Sequence, residues 1–270
     1  MNLRHCSRRK SISLALAAFA LLMLYSAMPP GARAARAETL VVATDTAFLP
    51  FEFRENGKYV GFDIDLLDLI THEMGASYSL LPMDFSNIFA NLTAGKVDMA
   101  IAGITITQDR ERSVDFSDPY FRSDISLVVA NGNTDINRFT DLADKRVGVK
   151  RGTEAADYVN RMLPQAKVTY FQNMDAGFPY LEVAAGRLDA VVHDTANVRY
   201  YSQNKGQGLV RVADTVATPN NFYAIAMPKN SALTQRVNAA LRKTIESGRY
   251  ATIYRKWFGV EPDPAKLMIR

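Results

Sequence analysis

Four charged residues stand where short apolar segments of the sequence end. Asp45 follows LVVAT, Arg110 closes AGITITQDR, Lys150 ends RVGVK and Asp194 follows the run DAVVH. The planar fork of an arginine matches a carboxylate, and a buried aspartate can pair with an ammonium group. Each residue also has an ordinary structural interpretation, because Asp45 could lie on the surface, Arg110 could be a solvated strand end and Asp194 could cap a helix.

Aromatic and small residues accompany these charges. Phe48 follows Asp45 by three positions, and Phe85 stands at a predicted helix start in PMDFSNIF. Two facing phenylalanines would make flat apolar walls for a small ligand, although each could equally be a core residue. Gly103 allows close approach of the backbone, and Thr105 offers an amide and a hydroxyl.

A possible anion site follows Lys150. The segment 151–153 contains a glycine and leads into a helix predicted to begin near Glu154. A strand, a glycine-containing turn and a helix N-terminus together form a common anion-binding arrangement. The carboxylate of Glu154 would compete with an anionic ligand unless it points away.

The patterns that carry enzymatic or metal chemistry are missing. His193 has no second histidine at ligand spacing, and residues 72–74 do not form the zinc-protease motif. The sequence contains no nucleophile elbow, no dinucleotide-binding glycine motif after a strand and no P-loop. We therefore predict a protein that is not an enzyme and has no cofactor and no metal site.

Strand-length apolar segments alternate with amphipathic stretches of helical length along most of the chain. Residues 40–44, 124–130, 146–150, 167–171, 189–193, 209–213 and 223–227 are typical of strands, and AGITIT alternates as a strand does. The alternation predicts an α/β architecture with largely parallel sheets, in which ligands gather at the carboxyl ends of strands.

Polar turn residues interrupt the alternation at 131–137 and again at 214–221. Two such breaks could separate three domains, or could mark a chain that leaves one lobe and later returns to it. The return is favoured because the final stretch, 231–259, is helical and has too few strands to stand alone.

The N-terminus has the order of a secretory signal peptide: basic residues, an apolar run from Ile12 to about Met28, and ARAARA. Cleavage is expected after Ala34 or Ala37, and a membrane anchor is the alternative interpretation. Residues 1–37 carry six of the 32 basic residues and no acid, so the remaining chain has a formal charge of −2. Nucleic-acid binding thereby loses its support. The only cysteine, Cys6, leaves with the signal, and a periplasmic location is expected.

Seven segments together resemble the bacterial periplasmic amino-acid-binding proteins that serve ABC importers, above all the glutamine-binding members. They are VVATDTAF, YVGFDIDL, PMDFS, AGITIT, DFSDPYF, HDT and YRKWFG. The resemblance implies a type II two-lobed α/β fold with two hinge strands and a ligand cleft between the lobes. It places lobe 1 at 38–124 and 218–270, and lobe 2 at 125–217, after a signal peptide at 1–37.

The resemblance also implies roles for individual residues. Arg110 would anchor the ligand α-carboxylate with the Thr105 amide, and Asp194 would pair with the α-ammonium beside the Gly103 carbonyl and the Thr105 hydroxyl. The side chain of the ligand would lie between the Phe48 and Phe85 rings. Asp45 and Lys150 would meet its far end, with Ala102 and His193 nearby. This sequence departs from the family at Glu154, a position where glycine is usual.

An amide side chain suits this set, because Asp45 accepts a hydrogen bond and Lys150 donates one. The expected ligand is therefore glutamine, delivered to an inner-membrane ABC permease by a monomeric protein. Histidine or glutamate is the alternative ligand. A dehydratase on the same fold, with Glu154 as general acid, is the alternative function.

Overall fold

The computed structural model describes residues 38–172, 177–218 and 221–263. The predicted export signal, including Cys6 and both cleavage positions, lies outside these residues. Among the described helices, none is both long and apolar enough to cross a bilayer.

The described chain alternates strands and helices as the sequence pattern predicts. The strands are β1 Thr39–Asp45, β2 Phe53–Glu55, β3 Lys58–Val60, β4 Ser77–Met83, β5 Met99–Ala100, β6 Val114–Phe116, β7 Phe121–Arg122, β8 Ile125–Ala130, β9 Arg146–Lys150, β10 Lys167–Phe171, β11 Ala190–Asp194, β12 Val210–Val216, β13 Phe222–Tyr223 and β14 Ala226–Pro228. The helices are α1 Phe62–Met74, α2 Ile88–Thr93, α3 Gln108–Glu111, α4 Glu154–Met162, α5 Phe178–Ala184, α6 Thr195–Asn204, α7 Leu233–Glu246 and α8 Arg249–Phe258. Short 3-10 turns stand at Phe85–Asn87 and Phe139–Leu142.

The first sheet has the strand order β4-β1-β5-β14-β6. Strand β1 runs parallel to β4, with Thr39 opposite Ser77, and also parallel to β5. Strand β14 returns from late in the chain and pairs antiparallel with both β5 and β6. The carboxyl end of β1 therefore points to the same edge as the ends of its parallel neighbours.

The second sheet has the order β10-β9-β11-β8-β12. Strands β10, β9 and β11 run parallel, whereas β8 pairs antiparallel with β11 and with β12. Strand β8 is buried along almost its whole length, which explains why its sequence is apolar at every position except Ser126 instead of alternating.

Two expectations about strands are corrected and one is refined. The sheets are largely parallel, but each contains one strand that runs against the other four, β14 in the first sheet and β8 in the second. Residues 102–107 do not form a strand, since only Thr105 makes an isolated bridge, to Tyr223. The segment 223–227 is divided between β13 and β14.

Each sheet buries apolar side chains on both of its faces. Around the first sheet, one cluster lies under α1, α7 and α8 and another under α2. Around the second, one cluster includes α4 and the other includes α5 and α6. Packing on both faces keeps the strand ends fixed, and these ends hold three of the four charged residues singled out above, Asp45, Lys150 and Asp194.

Two chain segments connect the sheets and pair with each other. Strand β7 leads out of the first sheet and β13 leads back, and the two are antiparallel, with Phe222 opposite Arg122. All strands of the second sheet fall between Ile125 and Val216. The expected lobe limits at 124/125 and 217/218 nevertheless stay a prediction.

Candidate ligand-binding site

One small cavity is lined by all eleven residues that the sequence analysis predicted to bind the ligand, together with Thr153. The space in it that the centre of a water molecule can occupy is about 10 Å³. The predicted residues come from two parts of the chain: Asp45, Phe48, Phe85, Ala102, Gly103, Thr105 and Arg110 from the first, and Lys150, Glu154, His193 and Asp194 from the second. Their roles toward a ligand stay predictions.

A buried ion pair joins the two sheets at this cavity. Asp45 ends β1 in the first sheet, Lys150 ends β9 in the second, and the Lys150 ammonium donates a hydrogen bond to Asp45 Oδ2. Their side chains are only 1% and 2% exposed. Since each charge neutralises the other, the pair presents one acceptor and one donor without net charge.

The two phenylalanines flank the lysine. The Lys150 Nζ atom lies 5.6 Å from the centroid of the Phe48 ring and 5.8 Å from that of Phe85. The Phe85 ring is also 5.4 Å from the guanidinium carbon of Arg110. Phe85 therefore lies between the two cations, and the His193 ring packs on Phe48 at 5.4 Å.

Arg110 is not the end of a strand. It belongs to the short helix α3, whose first turn is capped by the Thr107 hydroxyl. Its guanidinium donates to the Thr105 carbonyl at 2.7 Å and to the Gly152 carbonyl at 2.9 Å, so it reaches from the first part of the chain to the second. Burial lowers the pKa of Arg110, and the carboxylates of Asp157, Glu154 and Asp194 oppose this effect.

The segment around Gly103 is held by residues outside the predicted set. Gly103 has a left-handed φ of 54°, and a Cβ there would collide with the Phe48 ring, so glycine is required. Its amide donates to Asp63 Oδ2 at 2.8 Å. The Thr105 hydroxyl, expected to meet an ammonium, donates to Asn221 Oδ1 at 2.8 Å, which leaves its oxygen as an acceptor.

Asp194 occupies the N-cap position of α6, but its side chain makes no capping hydrogen bond. The helix-cap interpretation is therefore not supported. Burial raises the pKa of Asp194, but His193, with Nδ1 3.2 Å from Oδ2, and contacts from Tyr223 and Asn221 leave that pKa below its ordinary value. An ionised, buried carboxylate at a cavity wall is suited to a cationic partner.

Glu154 begins α4, as predicted, and Thr153 caps that helix by accepting from the Ala156 amide. Glu154 Oε1 lies 3.4 Å from Arg161 Nη2, and its side chain is 22% exposed. The carboxylate thus has a cationic neighbour on its own helix while its residue still lines the cavity.

Residues 40–260 match the family model of the bacterial extracellular solute-binding proteins, family 3. The chain belongs to this family. A curated relative, the arginine-binding periplasmic protein of Mannheimia haemolytica, is 32% identical over 81% of this chain and 91% of its own length.

Solved structures of other solute-binding proteins have the same two-lobed α/β fold. The arginine-, lysine-, histidine-binding protein ArtJ of Geobacillus stearothermophilus superposes with a TM-score of 0.79 at 36% identity, covering 85% of this chain and 99% of ArtJ. An ancestral arginine-binding protein bound to glutamine gives a TM-score of 0.76 at 41% identity, covering 82% and 98%. The fold expected from the sequence is therefore confirmed.

Three residues around the cavity of this solute-binding protein escaped the sequence analysis. Thr153 lies in the turn that was predicted to be an anion site, so its position in the sequence could have identified it as a cavity residue. Asp63 lies in the recognised GFDIDL segment, yet its contact with Gly103 spans 40 positions of the chain. Asn221 is the last residue of the polar turn at 214–221, and only the tertiary structure brings it to Thr105.

Proposed function

We propose that this protein binds L-glutamine between its two lobes and delivers it to an ABC permease in the membrane. Within the proposal, lobe 1 comprises residues 38–124 and 218–270, and lobe 2 comprises residues 125–217. The observation that carries the ligand assignment is the buried, mutually neutralised pair Asp45–Lys150 at one side of the cavity.

The α-carboxylate and α-ammonium of the ligand would be bound on the opposite side of Phe85 from the Asp45–Lys150 pair. Arg110 would receive the α-carboxylate, because its fork lies at the cavity and already donates to two carbonyl groups. Asp194 would pair with the α-ammonium, beside the Gly103 carbonyl and the Thr105 hydroxyl oxygen. Phe48 and Phe85 would enclose the methylene groups, with Ala102 and His193 completing the wall.

The far end of the ligand distinguishes glutamine from its rivals. A side-chain amide can donate to Asp45 and accept from Lys150, so both buried groups keep a partner. Glutamate would bring a second carboxylate to Asp45. Leaving one buried group unpaired costs about 1–3 kcal/mol, or roughly one to two decades of affinity.

Arginine is the rival suggested by the names of the relatives. Its guanidinium would lie beside the Lys150 ammonium, so two buried cations would share the single carboxylate of Asp45. The structure bound to glutamine shows that a related arginine-binding protein also accepts glutamine. These points favour glutamine for this chain.

Binding by residues of both lobes favours the closed state, because the ligand gains contacts there that the open state lacks. A permease could then recognise the loaded protein by its shape. We further propose that residues 1–37 direct export to the periplasm and are removed, that the protein acts as a monomer without a cofactor, and that it is not an enzyme.

Calorimetric titration with glutamine, glutamate, histidine, arginine and lysine tests the assignment. We expect micromolar or tighter affinity for glutamine and at least tenfold weaker affinity for each of the others. Tighter binding of arginine or histidine would overturn glutamine specificity while leaving amino-acid binding intact. Turnover of a prephenate-like acid that is lost in Glu154→Gln would instead establish the dehydratase alternative.

A further inference from the structure

Two fully buried carboxyl groups lie directly behind the cavity, and the proposed binding contacts use neither of them. Glu52 and Asp63 are both 0% exposed. Asp63 Oδ2 accepts hydrogen bonds from the Gly103 amide at 2.8 Å and from the Tyr120 hydroxyl at 2.7 Å. Within the described part of the chain, Asp63 Oδ1 and both carboxyl oxygens of Glu52 have no hydrogen-bond donor.

The backbone forces these two residues together. The Asp63 amide donates to the Phe51 carbonyl at 2.9 Å, and the Phe62 amide donates to the Pro50 carbonyl at 2.9 Å. Gly61, with a φ of 140°, permits this approach, because a Cβ there would collide with the Phe51 carbonyl. The start of α1 is thus attached to the segment that contains Glu52.

One proton held between the two carboxyl groups would supply the hydrogen-bond donor that their oxygens lack. Ionised carboxylates only accept hydrogen bonds, so two of them side by side repel and leave their oxygens unsatisfied. Protonation of Glu52 would create a donor for Asp63 Oδ1. Burial raises the pKa of Glu52 well above its ordinary value, with Asp63 and Asp45 adding to the effect and Lys150 opposing it. Burial also raises the pKa of Asp63, to about 7.

Each member of the pair supports a different part of the cavity. Glu52 exchanges two backbone hydrogen bonds with Phe48, at 2.7 Å and 3.1 Å, and so fixes the turn that carries this aromatic wall. Asp63 fixes the Gly103 segment through its amide. Movement of the two carboxyl groups relative to each other would therefore shift Phe48 relative to Gly103.

Several other titratable groups face the pair. Asp45 and Lys150 lie on the cavity side, and they act on Glu52 with opposite sign. On the core side are Tyr120, Tyr223 and Tyr250, whose pKa values are all raised by burial, so these phenols stay neutral in the physiological range.

We propose that Glu52 and Asp63 share one proton and act as positioning residues, keeping the Phe48 wall and the Gly103 segment in the arrangement that binds the amino acid. Loss of this proton places two negative charges side by side and drives the two segments apart. Ligand affinity then falls as the pH rises. The inference rests on the proposed function, since it deepens the account of the same site.

The shared proton can be tested without any ligand. Carbon-13 NMR of the Glu52 and Asp63 carboxyl groups, recorded between pH 4 and 9, should give one group that stays protonated well above the ordinary range of a glutamate. The Gly103 amide signal should shift with the same midpoint. Ordinary titration of both carboxyl groups would overturn the proposal, whether or not the protein binds glutamine.

The positioning role is tested by calorimetry with L-glutamine over the same pH range. Wild-type affinity should fall by up to about tenfold for each pH unit once the proton leaves, the limit for coupling to one proton. Glu52→Gln keeps a permanent donor toward Asp63, so its affinity should vary much less with pH. Glu182→Gln is the matched control, because that glutamate lies in helix α5 and is paired with Arg187, and it should follow the wild type.

A second variant protects the test against misfolding of Glu52→Gln. Tyr120→Phe removes one donor to Asp63 Oδ2 with little change of shape, so the carboxyl titration and the loss of affinity should both move to higher pH. If neither variant changes the pH profile, the pair has no positioning role. If no amino acid binds the wild type at any pH, the proposed function fails, and the pH dependence of the Gly103 amide signal alone decides the positioning role.

Discussion

Lys150, at the end of a strand in the second sheet, donates a hydrogen bond to Asp45, at the end of a strand in the first. The two residues are 105 positions apart in the chain. Their bond lies between the Phe48 and Phe85 rings, where solvent screening is weak. The pair therefore contributes both to the contact between the sheets and to the polarity of the cavity.

Replacement of this lysine should destabilise the protein strongly. Lys150→Met leaves the Asp45 carboxylate buried without a counterion, and we expect the free energy of unfolding to fall by about 3–5 kcal/mol. Urea unfolding followed by circular dichroism measures the change. Lys229→Met is the control, because its ion pair with Asp115 is half-exposed, and about 0–1 kcal/mol is expected there. Equal losses in both variants would contradict a special role for the buried pair.

Arg110→Lys should weaken glutamine binding about 100-fold. A lysine cannot donate in parallel to a carboxylate while also contacting the carbonyl groups of Thr105 and Gly152. Loss of one such charge-assisted contact costs about 1.5–3 kcal/mol, which corresponds to one to two decades in affinity. Calorimetry measures the effect, and Arg112→Lys, at an exposed position, should bind as the wild type does. An unchanged affinity in Arg110→Lys would exclude Arg110 as the carboxylate anchor.

Asp194→Ala should reduce affinity for any amino acid by at least about 100-fold, because an ammonium group would lose its buried counterion. The control is Asp84→Ala, since Asp84 also occupies an N-cap position without a capping hydrogen bond. The affinity of Asp84→Ala for the amino acid should differ from that of the wild type by less than threefold. Retention of binding within tenfold in Asp194→Ala would show that this carboxylate does not meet the ligand.

Glu154→Gly should change glutamine affinity by less than about tenfold. The backbone amide at the start of α4 survives the substitution, and the lost carboxylate has Arg161 as its cationic neighbour. Titration calorimetry of Glu154→Gly and of Arg161→Ala measures the effect of each side chain on glutamine affinity separately. A change of about 100-fold in Glu154→Gly would show that the carboxylate contacts the ligand directly.

The Glu52–Asp63 pair should make stability depend on pH. The folded state raises the pKa of Glu52 well above 4.5 and that of Asp63 from 3.8 to about 7. The folded protein therefore holds its proton more tightly than the unfolded chain does. This contribution is fully present below about pH 4 and is lost as the pH rises through 7, by up to about 1.4 kcal/mol per pH unit for one proton. Urea unfolding of the wild type and of Glu52→Gln, measured from pH 4.5 to 8, should show that the wild type loses stability relative to the variant as the pH rises.

Much of the fold could be predicted because local patterns reflect burial. The strand at 146–150 and the helical stretch within 231–259 both depend only on which side chains face a core, and both form as predicted. AGITIT was misleading for the same reason: its isoleucines alternate, but the left-handed Gly103 and the bond to Asp63 turn the segment away from a sheet. Strand direction in β8 and β14 depends on how the chain crosses between sheets, which no local pattern records.

The sequence by itself determined which residue types follow the apolar segments, and these types already specified partners for a carboxylate, an ammonium and an uncharged polar side chain. Only the tertiary structure decided which of them meet. Lys150 reaches Asp45, Arg110 reaches Gly152 and Asp63 reaches Gly103 across separations of 40 to 105 positions. The physical reason is that burial and proximity set the energy of a charged group, and both arise only after distant segments have packed. The unpartnered carboxyl oxygens of Glu52 could not have been recognised in any other way.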